Sequence, residues 1–116
     1  MSPASICQNF HEDCAHSLNK QINMEMFANY TYLTFYSYFI QHDKALHGFA
    51  KMFLKNSQEE REHSLLLIEY VTKRGGKVVM TNIEKPEVEL STAKNAVEAA
   101  LNLEKDVNQS LLNLQG

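Results

Sequence analysis

Glu59-Glu60-Arg61-Glu62-His63 is the string with the clearest chemical potential in this sequence. Glu60 and His63 stand three residues apart, about 60° around a helix, so both side chains can face one point. A carboxylate and an imidazole on one face suit iron, which takes oxygen and nitrogen ligands. Glu-x-x-His directed into a helix bundle is the arrangement of di-iron carboxylate sites. There a bridging carboxylate holds two ions close and an open position admits dioxygen. The same string could instead be a charged helix face in solvent with an ordinary i, i+3 pair.

Glu25 bears on that choice. It lies in QINMEMFANYTYL, among residues whose types belong in a core. A buried carboxylate is costly unless it is paired or bound to a metal. Tyr32 follows seven residues later, about 20° away on the same face. Alone, Glu25 could be the polar edge of an apolar stripe, and Tyr32 a core ring with its hydroxyl satisfied. Glu104, in ALNLEKDVNQ, has Ala100, Val107 and Leu111 as apolar stripe neighbours. By itself it could be a solvated charge beside Lys105. An inward carboxylate on each of three helices is a stronger pattern than any one of them.

Two other motifs carry little. His11-Glu12-Asp13-Cys14-Ala15-His16 looks like a zinc-protease string, but its histidines are five apart. That is about 140° around a helix, so they cannot share a metal as an i, i+4 pair does. Asn29-Tyr30-Thr31 and Asn108-Gln109-Ser110 match the glycosylation pattern by chance.

The elements that must position these side chains are three long helices. The first is expected over about 11–41, with Leu18, Ile22, Met26, Tyr30, Leu33 and Tyr36 on one stripe. Its second half is apolar nearly all round and needs neighbours on two faces. The second is expected over about 44–74, with Asp43 as its cap and Gly75-Gly76 as its stop. Lys73, Arg74 and Lys77 cluster at that end, where the helix dipole favours positive charge. The third starts at about 91, capped by Ser91 or Thr92, and its period still runs at Gly116.

Residues 75–90 have no helical period and contain Pro86. Extended, such a segment reaches about 50 Å, enough to span a 30-residue helix of about 45 Å. It can therefore return along the second helix and let the third run parallel to it. A single long crossover of that kind gives an all-α four-helix bundle rather than an up-and-down one. Only three of its helices are expected in 1–116, one domain whose third helix is incomplete.

The totals exclude several classes. The chain has 116 residues, 44% hydrophobic and 22% charged, with a net charge of -3. Mild acidity without a basic patch argues against nucleic acid. The most apolar stretch, 27–40, is too short to span a membrane. The first residues, MSPASICQNFHEDC, show no charged segment followed by an apolar run, so no secretory signal is expected. Cys7 and Cys14 would lie two turns apart on one helix, too far for a disulfide, and two free thiols fit the cytoplasm.

QINMEMFANYTYL, FAKMFLKNSQEEREH, the RGGK turn with its following Lys-Pro, and ALNLEKDVNQSLL together resemble ferritin subunits of the heavy, ferroxidase type. The resemblance runs in register from about Gln8. It implies an oligomeric iron-storage cage, built with other ferritin subunits, with a di-iron centre inside each subunit. Carried over by that resemblance, Glu25 and His63 are terminal ligands of the first iron. Glu60 bridges the two irons, Glu104 holds the second, and Tyr32 is the tyrosine at the centre. Light-type subunits lose the bridging carboxylate, so Glu60 marks the heavy type. Glu59 and Glu62 match carboxylates used in mineral nucleation, and Leu65 stands where a further glutamate is expected.

The sequence also departs from the family pattern. It has no counterpart of the fourth helix with its glutamine ligand, the acidic channel residues or the short fifth helix. It has no tryptophan at the third helix, and its crossover is about one residue short. The expected activity is oxidation of ferrous iron by dioxygen, followed by storage of the ferric product. The alternative is a truncated, non-enzymatic helical chain that does not assemble or serves as a passive partner.

Overall fold

The computed structural model describes residues 12–42, 47–87 and 92–115. Asp43, Leu46, Ser91, Cys7, His11 and Gly116 lie outside them. The described residues form three helices: α1 (Glu12–His42), α2 (His47–Lys73) and α3 (Ala93–Gln115). The body measures 49 × 22 × 22 Å, about the length of its longest helix.

Each helix contributes a seam of side chains spaced alternately by three and four residues, the signature of long helices packed side by side. On α1 the seam is Cys14, Leu18, Gln21, Glu25, Ala28, Tyr32, Phe35 and Phe39, all buried. On α2 it is Ala50, Phe53, Ser57, Glu60, Ser64, Leu67 and Val71. On α3 it runs through Ala93, Ala96, Ala100, Leu103, Val107 and Leu114.

This corrects the stripe expected for α1. Tyr30 and Leu33 are exposed, as are Leu66 on α2 and Leu101 on α3. A run of pure four-residue steps drifts about 40° per step and leaves the face that a 4-3 alternation holds.

Contacts at both ends of the seams give the directions. Leu18 and Ile22 pack with Leu67 and Val71, whereas Phe35 and Phe39 pack with Phe53 and Ala50. Hence α1 and α2 are antiparallel. Leu114 joins the Leu18 cluster and Ala96 joins the Phe39 cluster, so α3 also opposes α1 and runs parallel to α2. A parallel α2–α3 pair requires the long crossover. This is the ferritin-like four-helix arrangement, represented among the described residues by three helices.

The turn that starts the crossover is a Schellman motif. Gly76 N–H donates to Val71 O at 2.9 Å, and Gly75 N–H to Thr72 O at 3.1 Å. Gly75 has φ 79°, a left-handed conformation that side chains resist. The segment then packs along α1. Asn19 Nδ2 donates to Lys77 O at 3.0 Å, and Asn19 Oδ1 accepts from Val79 N–H at 2.8 Å. Asn23 Nδ2 donates to Thr81 Oγ1 at 2.8 Å and to Asn82 O at 3.2 Å. The crossover thus follows the near half of α1 rather than simply spanning α2. Thr92 caps α3, its Oγ1 accepting from Asn95 N–H at 3.1 Å.

The cysteine expectation fails at Cys14, which is disulfide-bonded rather than free. The expectation assumed one helix carrying both cysteines, and Cys7 lies outside the described residues. The thiol argument for a cytoplasmic location falls with it. Among the described residues, no helix is long and apolar enough to cross a membrane.

Candidate metal centre

Two apolar clusters fill the ends of the bundle, an aromatic one around Phe53 and an aliphatic one around Leu18. Between them the seams turn polar. Gln21, Glu25, Ser57, Glu60 and Ser64 are all buried there. Ser64 Oγ donates to its own helix at Glu60 O, 3.0 Å. Asn29 Nδ2 donates to Ser57 O and Ser57 Oγ at 2.6 and 2.7 Å, fixing α1 against α2 at this level.

Glu25 from α1 and Glu60 and His63 from α2 meet in this layer. One ligand atom from each lies within 4.8 Å of the other two. His63 Nδ1 is 3.5 Å from Glu25 Oε2 and 3.6 Å from Glu60 Oε2. Those two carboxylate oxygens are buried and accept no hydrogen bond. Leaving such oxygens without a donor is expensive. Hard, multiply charged cations are what a set of carboxylate oxygens with one imidazole accommodates. The residues present therefore fit a metal ion.

Glu104 reaches the centre from α3 by another route. Tyr32 Oη donates to Glu104 Oε1 at 2.5 Å, and Glu60 faces the carboxyls of both Glu25 and Glu104. Glu25, Tyr32, Glu60, His63 and Glu104 thus gather at one level of the bundle. Glu59 and Glu62, on the same helix as Glu60, are exposed and outside the cluster, as is Leu65.

Burial pushes the Glu60 carboxyl well above the usual carboxylate range, and the neighbouring carboxyls of Glu25 and then Glu104 push it further. Burial also raises Tyr32, reinforced by its bond to Glu104, so the phenol stays protonated as a donor. A carboxyl raised in the folded state costs nothing below the ordinary glutamate range, where folded and unfolded forms are both protonated. As pH rises above that range the unfolded chain ionises first, and stability falls. Thermal melts of the metal-free chain should therefore give a Tm that drops from pH 5 to pH 8. Glu60→Gln should flatten that slope. Divalent metal should reverse it, because binding displaces the proton.

The residues that spacing alone did not single out are Gln21 and Ser110. Gln21 Nε2 donates to Glu25 Oε1 at 3.1 Å, and Ser110 Oγ donates to Gln21 Oε1 at 2.6 Å. The signal was present in one form: Gln21 is a polar residue on the α1 seam, as Glu25 is.

A helix bundle with a polar layer that gathers carboxylates from three helices and a histidine has the donor set of the carboxylate-rich metal-binding bundles. Residues 15–116 match the family described as the ferritin-like domain, and the chain belongs to that family. It is 49% identical over 112 residues to the ferritin middle subunit of Salmo salar, a match covering 96% of this chain and 64% of that one. To the ferritin heavy chain of Echinococcus granulosus it is 47% identical over 110 residues, covering 94% and 64%. To the ferritin-1 heavy chain of Schistosoma mansoni it is 46% identical over 112 residues, covering 95% and 65%. The chain thus spans just under two thirds of the length of these curated relatives.

Proposed function

We propose that this chain is a ferroxidase-type ferritin subunit, acting in iron storage and detoxification. Two ferrous ions bind at Glu25, Glu60, His63 and Glu104, with Glu60 between them. Dioxygen accepts their electrons, and the ferric product is stored as mineral in a cage of such subunits. The cytoplasm is the compartment that suits this role.

The observation that carries the reading is the pair of buried, donor-less oxygens on Glu25 and Glu60, facing each other beside His63 Nδ1. A light-type subunit would not need that arrangement. The protein's part is to hold two metals at bridging distance and leave positions open, the template role of a metal site. Tyr32 holds Glu104 in place through its protonated hydroxyl. Glu59 and Glu62 lie on the exposed face of α2, where mineral nucleation would use them.

The test is aerobic ferrous oxidation by the purified chain, with its size in solution measured alongside. Oxidation well above the rate of buffer, by a particle of hundreds of kilodaltons, is expected. A small species that oxidises no iron would mean a non-enzymatic or non-assembling ferritin-like chain.

A further inference from the structure

Glu25 presents its two oxygens to different surroundings. Oε2 faces Glu60 and His63 and accepts no hydrogen bond, whereas Oε1 accepts from Gln21 Nε2 at 3.1 Å. Gln21 is fully buried. Its amide orientation follows from chemistry. Nε2 faces two groups that only accept, Glu25 Oε1 and Val107 O at 3.4 Å. Oε1 meets the Ser110 hydroxyl at 2.6 Å. A flipped amide would set oxygen against carboxylate and carbonyl and would lose both bonds.

We infer that Gln21, locked by Ser110, is a positioning residue that makes Glu25 a one-oxygen metal ligand. The engaged Oε1 is turned away from the metal and Oε2 is delivered to it. The lock also ties α3 to a ligand on α1, so this ligand's orientation depends on the docking of α3. Hydrogen-bonded partners of ligating carboxylates commonly act this way and carry about 10–100-fold in metal affinity. The inference rests on the metal-site reading of Glu25.

Cobalt(II) titration of the full chain tests it, because Co(II) does not turn over with dioxygen as iron does and its visible band reports coordination number. In Gln21→Leu, Oε1 is released and can bind as a second oxygen. The band should weaken as coordination number rises, and affinity should fall by about 10–100-fold. Ser110→Ala, which leaves the volume of Gln21 untouched, should shift the spectrum the same way but less. Ser110→Thr keeps the hydroxyl and should restore the wild-type band. A residue that merely packs would change stability and leave the band alone. Wild-type spectrum and affinity in both Gln21→Leu and Ser110→Ala would overturn the inference while the metal site stands. Failure of the wild-type chain to bind Co(II) would overturn it together with the metal-site reading.

Discussion

Glu60→Gln is expected to slow ferrous oxidation by at least about 100-fold, beyond the usual loss for a hydrogen-bonded partner of a ligand. The same change is expected to stabilise the metal-free chain. Both effects follow from one location. Glu60 is buried, faces Glu25 and Glu104, and has an oxygen with no donor. In the absence of metal this is an energetic burden that burial and like charge create together. In the proposed centre it is the side chain that would lie between the two ions. Glutamine has nearly the same shape but is neutral at every pH, so the cost of holding the Glu60 carboxyl protonated in the folded chain disappears. Stopped-flow absorbance gives the rate, and urea denaturation without metal gives the stability. A variant that lost activity and stability together would mean that Glu60 is a structural residue instead.

Phe53→Ala is expected to be the most damaging single change to the fold. The ring is fully buried and packs on Phe35 at 5.0 Å, Phe39 at 5.7 Å and Tyr32 at 6.1 Å between centroids. Truncating a core phenylalanine costs about 3–5 kcal/mol, the lost aromatic contacts included. Set against a total stability of about 5–15 kcal/mol, that leaves a marginal chain. The site would suffer too, because Tyr32 stacks on Phe53 and holds Glu104. Phe53→Leu keeps most of the volume and should cost much less. Equilibrium denaturation of the two variants separates the cases. A loss below about 1 kcal/mol in Phe53→Ala would show that the aromatic cluster is not the core.

The tripod of Glu25, Glu60 and His63 was legible because carboxylates interrupting apolar helices have few structural uses. The crossover was legible too, since a segment as long as a helix has an obvious use in a parallel pair. Thr92 and Gly75 were readable from capping chemistry that acts within one turn. Gln21 and Ser110 were not, because their bond crosses between α1 and α3 and depends on the register of two helices. Neither residue type is unusual on a helix. The exposure of Leu33, Leu66 and Leu101 escaped for a related reason. A single helix shows its period but not which side its neighbours occupy. The disulfide at Cys14 escaped because the spacing argument took both cysteines to stand on one helix.

X-ray absorption on the chain loaded anaerobically with Fe(II) tests the central claim most directly. Two irons per chain with a metal–metal vector at about 3.5–4 Å are predicted, the spacing of a two-metal site. A single iron, or none, with no short metal–metal vector would contradict the assignment of Glu25, Glu60, His63 and Glu104 to one di-iron centre.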